Sequence, residues 1–276
     1  MPVFDTPGSV SLQIKLPSGR VVVTTADEPR TSVELIPVGR RGPDAIDDVS
    51  VTADEHHGRH VIRIEQKDRF RWGPIQITWG GDIETRIQCP PGTDLELAGS
   101  STDLRVAGDL GEVSVRTASG DVRLDTVRSK LQVKTASGDI SVACVQKEAS
   151  LTTVSGDLGV GTLDGSLSVR AVSGDVSVGS VRGPLMLNTT SGDVDVKSVE
   201  AGEVRVQTVS GDARIAVGRG TRVWIDAASV SGVLGSELGL ENDAPAGESE
   251  GVVVPLQVKT VSGDVSIVRA SEAVSA

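Results

Sequence analysis

The hexapeptide TASGDV occupies residues 117–122 and returns as TASGDI at 135–140, TVSGDL at 153–158, AVSGDV at 171–176 and TTSGDV at 189–194. TVSGDA at 208–213 and TVSGDV at 260–265 continue the series. The motif glycines Gly120, Gly138, Gly156, Gly174 and Gly192 are each 18 residues apart, and Gly211, Gly232 and Gly263 follow at 19, 21 and 31. Ser101-Thr102-Asp103 is a degenerate first copy, with Thr in the Gly slot 18 residues before Gly120. A catalytic site needs one copy of its residues, so this repetition points to architecture. A fixed period of this size marks a stacked repeat fold.

Within one period the apolar residues keep the same offsets: Val122, Leu124, Val127, Leu131 and Val133 after Gly120, and Val176, Val178, Val181, Leu185 and Leu187 after Gly174. Pairs two apart are the alternation of a strand with one buried face. Two short strands per period, separated by Gly, Asp and Ser, make one coil of an all-β, parallel β-solenoid, with a right-handed coil expected over a left-handed one. Its core forms only when coils stack about 4.8 Å apart, each Val on its counterpart in the next layer. A coil of three hexapeptides, as in left-handed β-helix acyltransferases, would need an aliphatic residue every six positions. These offsets do not form that series, and no His follows His60.

Side-chain parity changes at the motif. Leu131, Val133 and Thr135 face inward in one strand, and Ile140 and Val142 in the next. The motif is therefore the corner between strands, built on Gly120, Asp121, Gly138, Asp139, Gly156, Asp157, Gly174, Asp175, Gly192, Asp193, Gly211, Asp212, Gly263 and Asp264. Gly allows unusual backbone or close approach, and Asp and Ser bond nearby N–H groups. Stacked carboxylates about 4.8 Å apart repel by roughly 1 kcal/mol in water, so backbone N–H groups, Ser hydroxyls or a cation must offset them. One carboxylate per layer supplies too few oxygens for calcium, and no metal site or cofactor is expected. The Thr column continues the inward series as a core hydroxyl ladder. Ala118, Ala136, Val154, Val172, Thr190, Val209, Val230 and Val261 fall on the opposite parity, beside the corner. Stacked, they form a small-residue apolar stripe, which either packs beneath another segment or docks a partner.

Residues 1–95 are strand-like but off the repeat and read as an irregular β region capping the solenoid of 96–270. Residues 241–251 form a loop excursion, VVVPLQVKT and DVSIVRA are the closing strands, and 271–276 are a tail. DEHHGRH (54–60) holds every His, and its central Gly58 between two alternating runs marks a hairpin loop rather than a metal site. Arg69, Phe70, Arg71, Trp72 and Trp79 gather basic and aromatic side chains in one stretch, the best local candidate for a recognition cluster. Cys89 and Cys144 lack metal-like spacing and read as two small buried thiols. The formal net charge of −11 disfavours nucleic acid and direct docking on an anionic leaflet. No apolar run reaches membrane-spanning length and no export signal is visible, so the expectation is a cytoplasmic protein, reaching a membrane only through a partner.

Repeated T-x-S-G-D-[VIL]-x-V units after IQCPPGTDLEL, with the opening LPSGRVVVTTADEPRTSVEL, resemble the bacterial adhesin-like domain of unknown function called the toastrack domain. That family carries no established catalytic residues. The resemblance implies a docking or scaffold role in envelope or membrane-associated signalling. The expected function is thus a non-catalytic solenoid module that binds a protein partner, a second copy of itself included. A carbohydrate-binding or carbohydrate-active β-helix and a self-polymerising scaffold are the alternatives.

Overall fold

The computed structural model describes residues 2–39, 46–56, 58–66, 82–238 and 253–270. They form strands that divide between two compact units, 1–142 and 143–276, the division falling inside one strand.

Unit 1 contains β1 (Val3–Asp5), β2 (Ser9–Lys15), β3 (Ser18–Thr25), β4 (Arg30–Val38), β5 (Val49–His56) and β6 (Arg59–Gln66). It continues with β7 (Asp82–Cys89), β8 (Thr93–Ala98), β9 (Ser101–Ala107), β10 (Asp109–Arg116), β11 (Val122–Val127), β12 (Lys130–Lys134) and the first half of β13 (Ile140–Val145). Each layer contributes one strand to each of two rows of a single continuous sheet. In one row β6, β2, β8, β10 and β12 are parallel neighbours in that order, in the other β7, β3, β9 and β11 follow suit, and a β10–β11 pairing joins the rows. Beyond β6 and β7 the direction reverses: β5 pairs antiparallel with β6, β4 with β7, and β1 with β4. Two layers of the stack, β2/β3 and β6/β7, therefore lie within residues 1–95, and among the described residues there β1, β4 and β5 run in antiparallel pairs. The β5–β6 hairpin turns through Gly58 (φ +74°), where the histidine-rich stretch lies.

Chain order and layer order differ here. The first layer in sequence, β2/β3, sits between β6/β7 and β8/β9. Val10, Leu12, Ile14, Val21 and Val23 of this interior layer are at most 2% exposed, covered from both sides.

Unit 2 contains β14 (Glu148–Ser155), β15 (Leu158–Leu163), β16 (Ser166–Ser173), β17 (Val176–Val181), β18 (Leu185–Ser191) and β19 (Val194–Val199). After them come β20 (Val204–Gln207), β21 (Ala213–Val217), β22 (Arg222–Ser231), β23 (Leu234–Ser236), β24 (Val253–Ser262) and β25 (Val265–Arg269). The register carries the sequence period: Leu158 pairs with Val176 and Val176 with Val194, while Leu167 pairs with Leu185 and Leu185 with Val204. Each aliphatic side chain thus lies on its repeat counterpart. Val176, Val178, Val181, Leu185 and Leu187 are all buried. Burial of each is worth about 1.5–3 kcal/mol, which a lone coil cannot collect.

The closing strands are not the last layer. β24 lies between β20 and β22, and β25 between β21 and β23, all parallel. The C-terminal segment is slotted beneath the layer made from 222–236. Its inward residues Val254, Leu256, Val258, Val265 and Ile267 are buried, and the positions stacked on them in 222–236 are Val223, Ile225, Ala227, Leu234 and Ser236, smaller or polar where Val258 and Ile267 are aliphatic.

Neither cysteine is in a disulfide. Cys89 is buried, and burial pushes its thiol up to about 11 against the small opposing effect of a hydrogen bond with Thr93. Cys144 is only half-buried, which corrects the expectation of two buried thiols. It follows β13's buried Val142 by two residues but sits where that strand departs from strict alternation.

The glycine corner fixes the layer spacing. Gly174 has φ +119°, and a Cβ there would fall on the carbonyl oxygen of Gly156 in the layer below. Gly159, in the adjoining strand, has open space around its Cα. Gly174→Ala is expected to lower unfolding free energy by about 2–4 kcal/mol in denaturant titrations, and Gly159→Ala to change it by less than about 1 kcal/mol.

Candidate functional site

The repeated corner is the most regular surface of the chain, and three columns of side chains build it. The innermost is the Thr column. Thr117, Thr135, Thr153, Thr189, Thr208 and Thr260 are buried. In five of them the hydroxyl donates to the carbonyl of the motif Ser two residues on, at 3.0 Å for Thr117, 2.9 Å for Thr135, 3.2 Å for Thr153 and 3.4 Å for Thr189 and Thr208. This bond bends the chain out of one strand and into the corner, an ST-type local bond. Thr102, which fills the Gly slot of the degenerate copy, donates to the Leu16 carbonyl at 2.8 Å.

The Asp column is held by the backbone. In unit 1 the N–H of Asp121 donates to Asp103 Oδ1 at 3.1 Å, and that of Asp139 to Asp121 Oδ1 at 3.2 Å. In unit 2 the chain of bonds runs from Asp175 N–H to Asp157 Oδ1 at 3.0 Å and from Asp193 to Asp175 at 2.9 Å. It continues from Asp212 to Asp193 at 2.9 Å, Asp264 to Asp212 at 2.8 Å and Val233 to Asp264 at 2.8 Å. Each carboxylate therefore meets a backbone dipole from the next layer, which offsets the repulsion between neighbouring charges. In unit 1, Arg123 adds a 3.0 Å ion pair to Asp121. The ladder also records layer order independently of the strands, since Asp264 comes before the 233 corner.

The third column is the outward one. Ala118 and Ala136 in unit 1 are exposed. In unit 2 Val154, Val172, Val209 and Val261 are each 47–49% exposed, Val230 is 83% exposed and Thr190 is exposed. Strand register stacks the unit 2 members in the order Val154, Val172, Thr190, Val209, Val261, Val230. Six layers at strand spacing give a ridge about 24 Å long. Beside it runs a column of exposed motif serines, Ser155, Ser173, Ser191, Ser210, Ser262 and Ser231.

The opposite side of unit 2 carries a charge ladder at the same 18-residue interval. Arg182 reaches Asp164 at 3.2 Å and Glu200 at 2.8 Å, and Ser180 donates to Glu200 at 2.9 Å. The Arg182 hydrogen bond holds the Glu200 carboxyl below its ordinary range, against partial burial and with help from Ser180. Unit 1 has an open cleft of about 360 Å³ where Ile83, Glu84, Ser101 and the loosely paired Arg20 and Asp103 (3.7 Å) converge. The cleft was not visible in the sequence because its walls come from four strands distant in the chain.

Arg69, Phe70, Arg71, Trp72 and Trp79 lie outside the described residues, as does His57. His60 packs its Nε2 against the Pro7 carbonyl at 3.2 Å, and no metal-ligating cluster occurs among the described residues. No helix among them is long and apolar enough to cross a membrane.

A profile of the Toastrack DUF4097 family matches residues 9–178 and again 165–268. The chain belongs to this family. Among solved structures, a candidate adhesin from Bacteroides fragilis is 12% identical to the Toastrack chain, covering 96% of it and 95% of its own length, with a TM-score of 0.45. A candidate cell adhesion protein from Clostridium sporogenes is 11% identical, covering 97% and 98%, with a TM-score of 0.24. Neither the family nor these two neighbours is named for an enzymatic activity. No curated protein matches the chain.

The N–H ladder makes a specific demand on the Asp side chain: an acceptor is required, a charge is not. Asp175→Asn is expected to leave unfolding free energy within about 0.5 kcal/mol of wild type, while Asp175→Ala lowers it by about 1 kcal/mol. Equilibrium unfolding of both variants checks this.

Proposed function

We propose that this Toastrack chain is a non-catalytic solenoid scaffold that docks a protein partner along its corner ridge, in envelope or membrane-associated signalling. The observation that carries the proposal is the ridge itself. Val154, Val172, Val209 and Val261 keep about half their surface in water although the residue before each, Thr153, Ala171, Thr208 and Thr260, is buried. An exposed apolar ridge flanked by Ser hydroxyls and carboxylates has the anatomy of an interaction surface: an apolar centre and a polar rim. The rigid register holds these side chains in line before binding, so little ordering entropy opposes association.

The carboxylates of the corner do not favour a carbohydrate-active reading. Glycoside hydrolysis needs two carboxyl groups in distinct environments, whereas the Asp column repeats one environment layer after layer, each Oδ1 engaged by a backbone N–H. The site assigned to the chain is the cytoplasmic side of a membrane, reached through the partner. A formal net charge of −11 opposes direct contact with anionic lipid and leaves a protein as the bridge.

Changing Val154, Val172 and Val209 together to Lys places three cations on the ridge without touching the core. Quantitative affinity capture from the native cell's membrane and soluble fractions, with wild type and variant as baits, tests the proposal. The expected result is a saturable partner retained by wild type and reduced at least about tenfold with the variant, at unchanged circular dichroism and thermal midpoint. Equal retention by both baits contradicts it.

A further inference from the structure

Unit 2 ends on the layer built from β22 and β23, and among the described residues this layer is paired on one side only, β22 with β24 and β23 with β25. Its inward positions stand directly over a closed core: Val223 over Val254, Ile225 over Leu256, Ala227 over Val258 and Leu234 over Val265. The lower members are at most 1% exposed. The upper members are not closed: Leu234 is 50% exposed, and Val223, Ile225 and Ala227 are half-buried. Trp224, on the outer face of the same strand, is 62% exposed. A ten-residue strand free of proline, with an uncovered apolar core beside it, is a template for another strand.

Unit 1 treats its outer edges in the opposite way. Among the described residues, β1 is three residues long and covers β4 only over 30–32, the rest of β4 carries Glu34 and Pro37, and β5 carries Asp54 and Glu55 in succession. Shortness and charge are two of the means by which sheets block edge pairing. β22 uses neither, since its only formal charges, Arg222 and Asp226, cancel. The chain's own segment 239–252, GLENDAPAGESEGV, is not a sequence that encodes a further rung. It has four carboxylates, three glycines and a proline, and no apolar alternation.

We propose that a second copy of the chain covers this layer. The two terminal layers meet across a two-fold axis, β22 of one copy antiparallel to β22 of the other, so that the two apolar cores become continuous. A two-fold pairing uses the same open edge on both molecules and closes the assembly at two. Head-to-tail stacking would need a second strand-forming edge, and among the described residues β1 is too short, β4 is interrupted by Pro37 and β5 is charged. This interface is separate from the Val154, Val172 and Val209 part of the ridge, so either assignment can fail without the other.

Sedimentation of the full chain from about 1 to about 100 µM tests the proposal. The expected species at the upper end has twice the 28.5 kDa chain mass and dissociates on dilution. Leu234→Glu puts two carboxylates into the joint and is expected to raise the dimer Kd at least about 100-fold. Trp224→Arg serves as the second variant, at a side chain exposed enough to leave the layer folded. The amides of β22 are expected to gain hydrogen-exchange protection with dimerisation. Four results overturn the proposal: a monomer at every concentration, open-ended polymers, a dimer indifferent to both variants, or a dimer dissolved by the Val154, Val172 and Val209 lysines. Protection of β22 that is equally high in the dilute monomer also overturns it, by showing that the chain covers its own edge.

Discussion

Everything in this molecule depends on how closely one backbone corner sits on the next. The motif Gly residues adopt positive φ, and a side chain would strike the carbonyl oxygen one layer down, that of Thr102 beneath Gly120 and of a Gly elsewhere, from Gly156 beneath Gly174 to Gly263 beneath Gly232. That approach brings the Asp N–H of one layer within 2.8–3.2 Å of the carboxylate of its neighbour and fixes the strand register. With the register fixed, each Val lies on its counterpart, the Thr hydroxyls close the inner side of the corner and the residue between Thr and Ser is left outside. A single geometric requirement therefore determines core, corner and exposed ridge together.

What the sequence made legible was everything that repeats. The offsets of Val176, Val178, Val181, Leu185 and Leu187 predict two strands per coil because alternation and period are local properties. The parity switch around Ser-Gly-Asp locates the corner for the same reason. Layer order is not local. Residues 253–269 lie beneath 222–236, and 9–25 lie between 59–89 and 93–107, an order that no local pattern of alternation or period encodes. The 31-residue interval to Gly263 marks the place where the chain passes the slot and comes back, but a spacing alone does not distinguish an excursion from an exchange of layers. The cleft beside Arg20 and Asp103 was hidden for a related reason, since it exists only once distant strands are neighbours.

The same exchange shapes what the chain presents to its surroundings. A chain terminus paired on both sides has far less freedom to fray than one lying on the outside. The C-terminal strands are protected in this way, and the less apolar layer 222–236 is left as the outer one, with Trp224 and Leu234 in water. Meanwhile the corner ridge proposed as a docking surface is a row of nearly identical side chains instead of one singular pocket. Repetition of this kind favours recognition by shape and length over chemistry at a point.

Layer order is the claim on which this account most directly stands, and disulfide trapping measures it. In a background lacking Cys89 and Cys144, cysteines replacing Arg205 and Gln257 occupy paired positions on adjacent strands, whereas cysteines replacing Arg205 and Asp226 are separated by the intervening layer. Parallel neighbours lie within the roughly 4.4–6.8 Å Cα separation that a disulfide spans, and next-but-one strands do not. The account predicts rapid oxidation of the Arg205→Cys/Gln257→Cys pair in the folded protein and none of the Arg205→Cys/Asp226→Cys pair. The reverse outcome would place 222–236 next to β20 and contradict the exchange of layers.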